Sequence, residues 1–432
     1  MATPPARSMP YRGNLCPFNY ARMYSSLAEA AGPVKGPTPR RLQQYMAKGL
    51  GLEGYLRFPG DGRTQPHLPA AALLWALFMG ALLRRLTFAG IEALVRSSAR
   101  RALPVSRRFG DDALGYFTER LDPAPTRQAA VTAVRQAKRH KAFDNCRFIG
   151  LALDGTGAGR SRQKGCGGCR PYRNAQQEVV GYHHQLVMIS VVGTGLTLPL
   201  DVEPYGPEDS EYSAGQRLLR RTVRNLGRRF ADYVVVDGKF ASAPFLHAAG
   251  EEGLYVLARL KDNLPELSAA AQKRFRGQPP RQVFWEGADR VEIWDADDFD
   301  PWGTLRWKTV RVIYYRQPKP DGTVVEASWL TNFPSARVSG RTLYRLAKSR
   351  WEIENQGFND AKNRYGLEPI CHHEANSLLV VWLLICLALT VERLYRLRYL
   401  HRGTHTVRTA IDLLLLLQLS LGLSSVAPTN SS

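Results

Sequence analysis

The fold class of this chain is decided by residues 233–238, which read Tyr-Val-Val-Val-Asp-Gly. Four β-prone apolar residues in succession predict a strand that is buried on both faces, and the glycine after the aspartate predicts a turn. Residues 150–155, Gly-Leu-Ala-Leu-Asp-Gly, repeat this pattern of an apolar strand that ends in Asp-Gly. Acids at the carboxyl edge of buried strands occupy the place where α/β sheets carry their functional sites.

The segments around these two strands predict a mixed α/β order. Two further β-like runs follow the first strand, a helical pattern over 213–229 leads to the strand at 233–236, and another helix and strand come after it. Several short strands then interrupt this order like an insertion at about 280–335, before a long helix over 340–365. We divide the chain into a flexible leader (1–38), a helical domain (39–145), an α/β catalytic domain with the insertion (146–400), and a C-terminal helix and tail (401–432).

The charge of the chain points to a polyanionic partner. The 432 residues carry 59 lysines and arginines against 38 acids, and 44% of them are hydrophobic, which excludes a disordered protein. A net charge of +21 favours nucleic acid or an anionic membrane over the alternative of a merely soluble basic protein. Residues 1–145 hold 22 basic and 9 acidic residues, so the helical domain is the predicted DNA-binding domain. Its candidate DNA contacts are Arg84, Arg85, Arg107 and Arg108, for which a solvated helix face is the alternative.

A membrane is the weaker of these two partners. The longest apolar runs cover 68–83, 377–390 and 413–423, and each is shorter than the roughly 18–20 uncharged residues that cross a bilayer. The N-terminus lacks the apolar stretch of a signal peptide. We therefore expect a cytoplasmic protein with reduced cysteines and no membrane partner.

Two acids at neighbouring strand ends, Asp154 and Asp237, form a candidate metal site. A buried carboxylate without a partner costs several kcal/mol, and two of them repel unless a cation lies between them. A divalent ion with oxygen ligands meets that requirement. The alternative is that each aspartate caps the turn that follows it.

A third acid lies in residues 349–368, Ser-Arg-Trp-Glu-Ile-Glu-Asn-Gln-Gly-Phe-Asn-Asp-Ala-Lys-Asn-Arg-Tyr-Gly-Leu-Glu. Arg350, Glu354 and Lys362 recur at multiples of four residues, which places them along one face of the predicted helix. Glu352 points elsewhere on this helix. A surface salt bridge between Arg350 and Glu354 is the simpler alternative.

The order of these three acids, with the Arg-Trp-Glu-Ile-Glu-Asn segment and the Tyr-Gly-Leu-Glu tail, resembles the DDE transposases of bacterial insertion sequences. It is similar to the cut-and-paste group whose third motif is Tyr-Arg-Glu-Lys, and the matching features run from 148 to about 397. The resemblance implies a ribonuclease-H-like mixed sheet flanked by helices, with a β-rich insertion between the second aspartate and the glutamate. The motif's tyrosine and lysine would fall at Ala347 and Ala361, so the nearby Tyr344 and Lys362 depart from the family pattern.

The same resemblance implies a site and an activity. Asp154, Asp237 and Glu354 would be catalytic and hold Mg²⁺ or Mn²⁺. The residues that would bind DNA phosphates are Arg350, Lys362 and Tyr344. The implied activity is cleavage of double-stranded DNA at the terminal inverted repeats of an element, followed by strand transfer into target DNA, by a homodimer. Two alternatives remain: a metal-dependent nuclease or recombinase of this fold without strand transfer, and a non-catalytic DNA-binding derivative.

Two further motifs have the residue types of a zinc site. Cys166 and Cys169 form a Cys-x₂-Cys pair after the first aspartate, and Cys371-His372-His373 follows the Glu354 segment. A tetrahedral site made of Cys166, Cys169, Cys371 and His372 would pin the loop after the first strand to the end of the helix that carries Glu354. The alternative is two unrelated turns with free thiols.

Overall fold

The computed structural model describes residues 37–423 except for 104, 262 and 401–408. The predicted leader therefore lies almost wholly outside the described residues, as does the polar tail after 423.

A mixed sheet of ten strands forms the centre of the described structure. The strands are β1 Gly150–Ser161, β2 Arg170–Arg173, β3 Val179–Val192, β4 Leu198–Tyr205, β5 Tyr233–Val236, β6 Tyr255–Leu260, β7 Gln282–Glu286, β8 Asp289–Phe299, β9 Val310–Pro318 and β10 Val324–Thr331. Their order is β2-β3-β1-β5-β6-β10-β9-β8-β7, and β4 also pairs with β3.

The first half of the sheet has the ribonuclease-H-like arrangement. Strands β1, β3 and β4 pair antiparallel, while β5 is parallel to β1 and β6 is parallel to β5. Every residue of Tyr233–Val236 is buried, as the run of β-prone residues predicts. The predicted fold class, a mixed α/β sheet flanked by helices, is therefore confirmed.

Strands β7–β10 extend this sheet instead of forming a separate one. Strand β10 pairs antiparallel with β6, and β9, β8 and β7 follow outward. All four strands fall within the stretch at about 280–335 that the sequence predicts as a β-rich insertion.

Besides two short helical turns within 350–363, twelve α-helices surround the sheet in the described ranges. They are α1 Pro39–Gln44, α2 Glu53–Arg57, α3 Ala70–Leu82, α4 Phe88–Arg96, α5 Asp111–Arg120, α6 Pro123–Arg139, α7 Glu211–Leu226, α8 Ala243–Glu251, α9 Pro265–Phe275, α10 Gly340–Lys348, α11 Ala375–Tyr395 and α12 Ala410–Ser420. Several of them start at a capping residue: the Asp122 carboxylate accepts from the Ala124 N–H ahead of Pro123, and the Ser210 hydroxyl accepts from the Ser213 N–H.

The long helix predicted over 340–365 is interrupted. Helix α10 ends at Lys348 with Ser349 as its C-cap, and the chain resumes with the short α-helical turn Arg350–Glu352, the π-helical segment Ile353–Phe358 and the short α-helical turn Asn359–Asn363. Residues 350–363 are called the Glu354 helix below. Wide π-helical turns occur mostly as short insertions and frequently at functional sites.

Helix α11 joins the helical region to the sheet. Its residues from Leu378 to Tyr395 are almost all buried, and it packs against α3, α5 and α6 on one side and β4 on the other. With the turn that follows it, this helix is long and apolar enough to cross a bilayer, with a mean hydropathy of 2.1, but 94% of its most apolar window is buried inside the protein. The uninterrupted apolar run in the sequence, 377–390, is shorter than this helix, which also contains Glu392 and Arg393.

Candidate active site

Asp154 and Asp237 lie side by side on neighbouring strands. The parallel pairing of β1 with β5 ends at Leu153 and Val236, and the two aspartates are the next residues. Asp154 does not end its strand as predicted, because β3 continues to pair with β1 as far as Ser161. Asp237 follows β5 directly and precedes a short 3₁₀ turn. The sheet therefore brings both acids to one edge of the β1–β5 pair.

Arg350 links the first aspartate to the third acid. Its Nη1 donates to Glu354 Oε1 at 2.7 Å and lies 3.3 Å from Asp154 Oδ2. The Arg350 side chain is 10% exposed, and its Nε has no hydrogen-bond partner among the described residues. The predicted Arg350–Glu354 pair is thus present, but it is not a surface salt bridge, because it reaches into the sheet to Asp154.

The second aspartate, Asp237, pairs with a lysine at this edge. Lys261 Nζ lies 3.0 Å from Asp237 Oδ1. Burial alone would raise the pKa of Asp237, but the Gly238 N–H and the Lys261 ammonium outweigh it and hold the pKa below its usual value.

Burial raises the pKa of Asp154 to about 7. Arg350 and the Gly155 N–H oppose this effect, while the neighbouring carboxylates of Glu354 and Glu211 add to it. A carboxyl group that is desolvated and crowded by other acids has a strong electrostatic preference for a cation. Three carboxylates also supply the oxygen ligands that Mg²⁺ and Mn²⁺ take. The residues present therefore fit a divalent ion at this edge.

Glu211 is a fourth acid at the site that the sequence analysis missed. It begins α7, and a Cβ atom on Gly155 would lie 2.4 Å from its carboxyl carbon. Its Oε2 accepts from Tyr205 Oη at 3.4 Å and lies 3.3 Å from Lys239 Nζ. The sequence placed the start of this helix at Ser213, which left Glu211 in a loop. The available signal was Asp-Gly itself, because a glycine beside a site acid leaves room for a second side chain.

Glu352 has a separate structural contact. Its Oε2 accepts from the Gly193 N–H at 3.1 Å, at the turn after β3, and burial raises its pKa. It points away from Asp154, as the sequence analysis expected for this acid.

The structure does not bring Tyr344 or Lys362 to the acids. Tyr344 is fully buried, its hydroxyl donates to Glu286 at 2.6 Å, and Lys348 donates to it. The predicted phosphate contact of Tyr344 is thus replaced by a contact with the insertion. Lys362 Nζ lies 3.7 Å from Glu368, beyond the end of the Glu354 helix.

The four predicted arginine contacts of the helical domain differ in exposure. Arg107 and Arg108 are exposed, and Arg107 Nη1 donates to the His67 carbonyl at 3.3 Å. Arg84 and Arg85 are half-buried. Burial lowers the pKa of Arg84, which lies near Tyr365 and Arg364. Arg107 and Arg108 are therefore the better placed of the four to meet a partner.

Two of the four predicted zinc ligands lie in a cluster of ligand-type side chains, and the other two do not. Cys166 and Cys169 do meet two histidines, but these are His184 and His373, and the four ligand atoms lie within 4.8 Å of one another. Cys371 instead donates its S–H to the Leu86 carbonyl at 2.8 Å, and His372 Nε2 lies 2.8 Å from Glu119. The backbone after the Glu354 helix turns these two side chains towards the helical region, so the predicted set with Cys371 and His372 is replaced.

A ribonuclease-H-like sheet with acids on two neighbouring strands, and a third acid on a helix after an inserted set of strands, defines the class of this protein. Residues 147–391, more than half of the chain, match the family described as Transposase DDE domain. The chain belongs to this family of transposases.

A solved structure, described as the piggyBac transposase synaptic complex with hairpin DNA, is similar at 14% identity with a TM-score of 0.43, over 90% of this chain and 80% of that chain. Comparison with curated proteins gives no match.

Proposed function

We propose that this transposase binds the terminal inverted repeats of an insertion sequence, cleaves the DNA there and transfers the freed strand into target DNA. The observation that carries the proposal is the position of Arg350 between Asp154 and Glu354. This contact joins residues 196 positions apart and supports one site made of strand and helix acids.

Asp154, Asp237 and Glu354 are the proposed ligands of Mg²⁺ or Mn²⁺. When bound, such an ion supplies an activated oxygen nucleophile and stabilises the leaving 3′ oxygen of a phosphodiester. Arg350 and Lys261 place two positive charges beside the three carboxylates, which lowers the repulsion between them. Arg350 is the proposed phosphate contact, because its guanidinium lies beside Asp154 and Glu354 and can donate to a phosphate oxygen.

Glu211 is a proposed positioning residue of the same site. It pairs with Lys239, two residues after Asp237, and its carboxylate packs over Gly155, next to Asp154. It thereby holds the backbone that follows both aspartates. Its carboxylate also adds to the negative field at Asp154.

DNA binding is assigned to the helical domain (39–145). The proposed active form is a homodimer, because two element ends have to be held together. Affinity from phosphate contacts falls steeply with salt. Arg107 and Arg108 are the proposed contacts in this domain, on the evidence of their exposure.

The test uses a plasmid that carries the gene with its own flanking sequences. The purified wild-type chain with Mg²⁺ should cut at the element ends and join them to a second plasmid, whereas Asp154→Ala, Asp237→Ala and Glu354→Ala should bind these ends without cutting. End cleavage without joining would favour the nuclease alternative. End cleavage by Asp154→Ala would refute the assignment of the acids.

A further inference from the structure

A second group of ligand-type side chains lies away from the acids. It consists of Cys166, Cys169, His184 and His373, called the Cys/His cluster below. The cysteines come from the loop between β1 and β2, His184 from β3, and His373 from the segment between the Glu354 helix and α11. We propose that the Cys/His cluster is a structural zinc site, independent of the proposed transposition chemistry.

The separations between the ligand atoms are those of a tetrahedral zinc site. The two Sγ atoms are 3.7 Å apart, and His184 Nε2 lies 3.6 Å from Cys166 Sγ and 3.2 Å from Cys169 Sγ. His373 Nε2 lies 3.2 Å from Cys169 Sγ and also 3.2 Å from His184 Nε2. With Zn–S near 2.3 Å and Zn–N near 2.0 Å, tetrahedral ligand atoms are separated by about 3.3–3.8 Å. Two of the five separations lie in this range and the three of 3.2 Å lie just below it, which is compatible with one central ion.

The donor chemistry separates this site from the acid site. Two thiolates and two imidazoles are soft and borderline ligands, which suit zinc, whereas Mg²⁺ and Mn²⁺ prefer carboxylate oxygens. Four protein ligands leave no open position on a tetrahedral ion, and a closed site of this kind is structural.

The surrounding contacts already hold the ligands in place. The Cys169 N–H donates to the Cys166 carbonyl at 3.0 Å, which closes the turn between the two cysteines. His184 is buried on β3, paired with Ala158 of β1, and the Trp382 ring of α11 packs edge-on against it at 5.8 Å. The cluster is therefore built from rigid elements on two of its sides.

The site would tie the exit of the Glu354 helix to the strand that carries Asp154. Two backbone hydrogen bonds already bring these parts together, from the Gly159 N–H to the Leu367 carbonyl at 3.3 Å and from the Arg160 N–H to the Glu368 carbonyl at 2.8 Å. A bond from the ion to His373 adds a fixed point a few residues further on. The proposed consequence is a fixed distance between the sheet acids and Glu354.

Metal analysis of the full-length chain, purified without chelator, tests the proposal. Wild type is expected to contain about one zinc per chain. Cys169→Ser and His373→Ala should lose the zinc, whereas the matched replacements of their neighbours, Cys371→Ser and His372→Ala, should keep it. A wild-type chain that stays free of zinc after purification with added Zn²⁺ would overturn the proposal. Loss of zinc from Cys371→Ser with retention in His373→Ala would overturn it as well.

A second measurement serves if the ligand variants do not fold. Wild-type chain in which Co²⁺ replaces the metal should show the intense visible bands of a tetrahedral ion together with thiolate charge-transfer absorption. A weak octahedral spectrum without thiolate absorption would contradict the site. Neither measurement depends on DNA cleavage, so their outcomes are separate from the test of the transposase activity.

Discussion

The acid site and the Cys/His cluster both adjoin the antiparallel β1–β3 pair, but they hold their ligand atoms in opposite ways. At the acid site the protein's own cations separate the carboxylates, with Arg350 between Asp154 and Glu354 and Lys261 on Asp237. In the Cys/His cluster the four ligand atoms converge directly. Convergent ligand atoms favour tight binding of one ion, whereas an ion at the acid site would compete with Arg350 and Lys261 for the carboxylates.

The largest expected effect is the loss of an acid. Asp154→Ala should lower DNA cleavage by about 10³-fold or more, because it removes a ligand of an ion that supplies several kcal/mol of transition-state stabilisation. Cleavage of labelled element-end DNA measures this, and a gel-shift assay should find binding unchanged. Glu352→Gln is the matched control on the Glu354 helix, because its amide oxygen can still accept from Gly193. Equal losses in both variants would argue against a special role for the three acids.

A ligand of the Cys/His cluster should affect stability more than chemistry. His373→Ala is expected to lower the thermal unfolding midpoint by about 5 °C, since it removes a bound ion that favours the folded state. Its loss of cleavage should stay well below that of Asp154→Ala. Scanning calorimetry beside His372→Ala, which should unfold near the wild-type temperature, checks this. Identical midpoints for the two variants would remove the contrast between the sites.

Arg350→Ala should lower cleavage by about 10²-fold, because the acids lose the side chain that holds them together and a phosphate donor. Arg350 lowers the pKa of Asp154, so its removal raises that pKa, and the acidic limb of the pH–rate profile at limiting metal should move to higher pH. Arg345→Ala, an exposed arginine one turn earlier, is the control and should leave the profile in place. An unshifted limb in Arg350→Ala would contradict the proposed coupling.

Glu211→Gln should lower cleavage by about 10-fold, in line with a group that orients metal ligands without being one. It also removes a negative charge near Asp154, so the acidic limb should shift to lower pH, opposite to Arg350→Ala. The exposed Glu208→Gln, in the same acidic run, is its control. Shifts of the same sign in the Glu211 and Arg350 variants would be inconsistent with this electrostatic picture.

The smallest expected effect is that of the Asp154 charge on the free energy of unfolding of the metal-free protein. The folded state raises the pKa of Asp154 from 3.8 to about 7, so this group stabilises the fold fully below pH 3.8 and loses that contribution as the pH rises through 7. Metal-free Asp154→Asn should therefore be about 1 kcal/mol more stable than wild type at pH 8, and the difference should shrink at pH 5. Urea unfolding at the two pH values measures it. A constant difference would mean that the Asp154 charge is not the cause.

Much of the acid site was predictable, because strand patterns and short motifs are local. The run at 233–236 predicted a buried strand, and Arg350 and Glu354 were predicted one helical turn apart. The predictions that failed concern features set by residues far away in the sequence. Asp154 lies inside its strand because β3 continues to pair beyond the end of β5, and nothing near Asp154 in the sequence shows how far that partner extends.

The predictions of the zinc ligands and of the site acids failed for related reasons, the latter because Glu211 was left out. Three ligand-type residues are adjacent at 371–373, and only the direction of the backbone decides which of them faces Cys166 and Cys169. His184 sits in an alternating strand, where its spacing is that of any inward-facing residue. Glu211 was missed by a two-residue error in a helix start, and helix ends are the part of a pattern that sequence defines least.

Helix α11 has a consequence for the order in which the chain can fold. The Thr118 hydroxyl of α5 meets the Ser377 hydroxyl of α11 at 2.9 Å, across 259 residues of sequence. The Asn376 amide meanwhile donates to the carbonyls of Thr118, Glu119 and Leu121. Contacts at such sequence separation form late. During synthesis the helical domain therefore emerges long before the helix that covers its apolar face, and its exposed surface has to be protected until α11 leaves the ribosome.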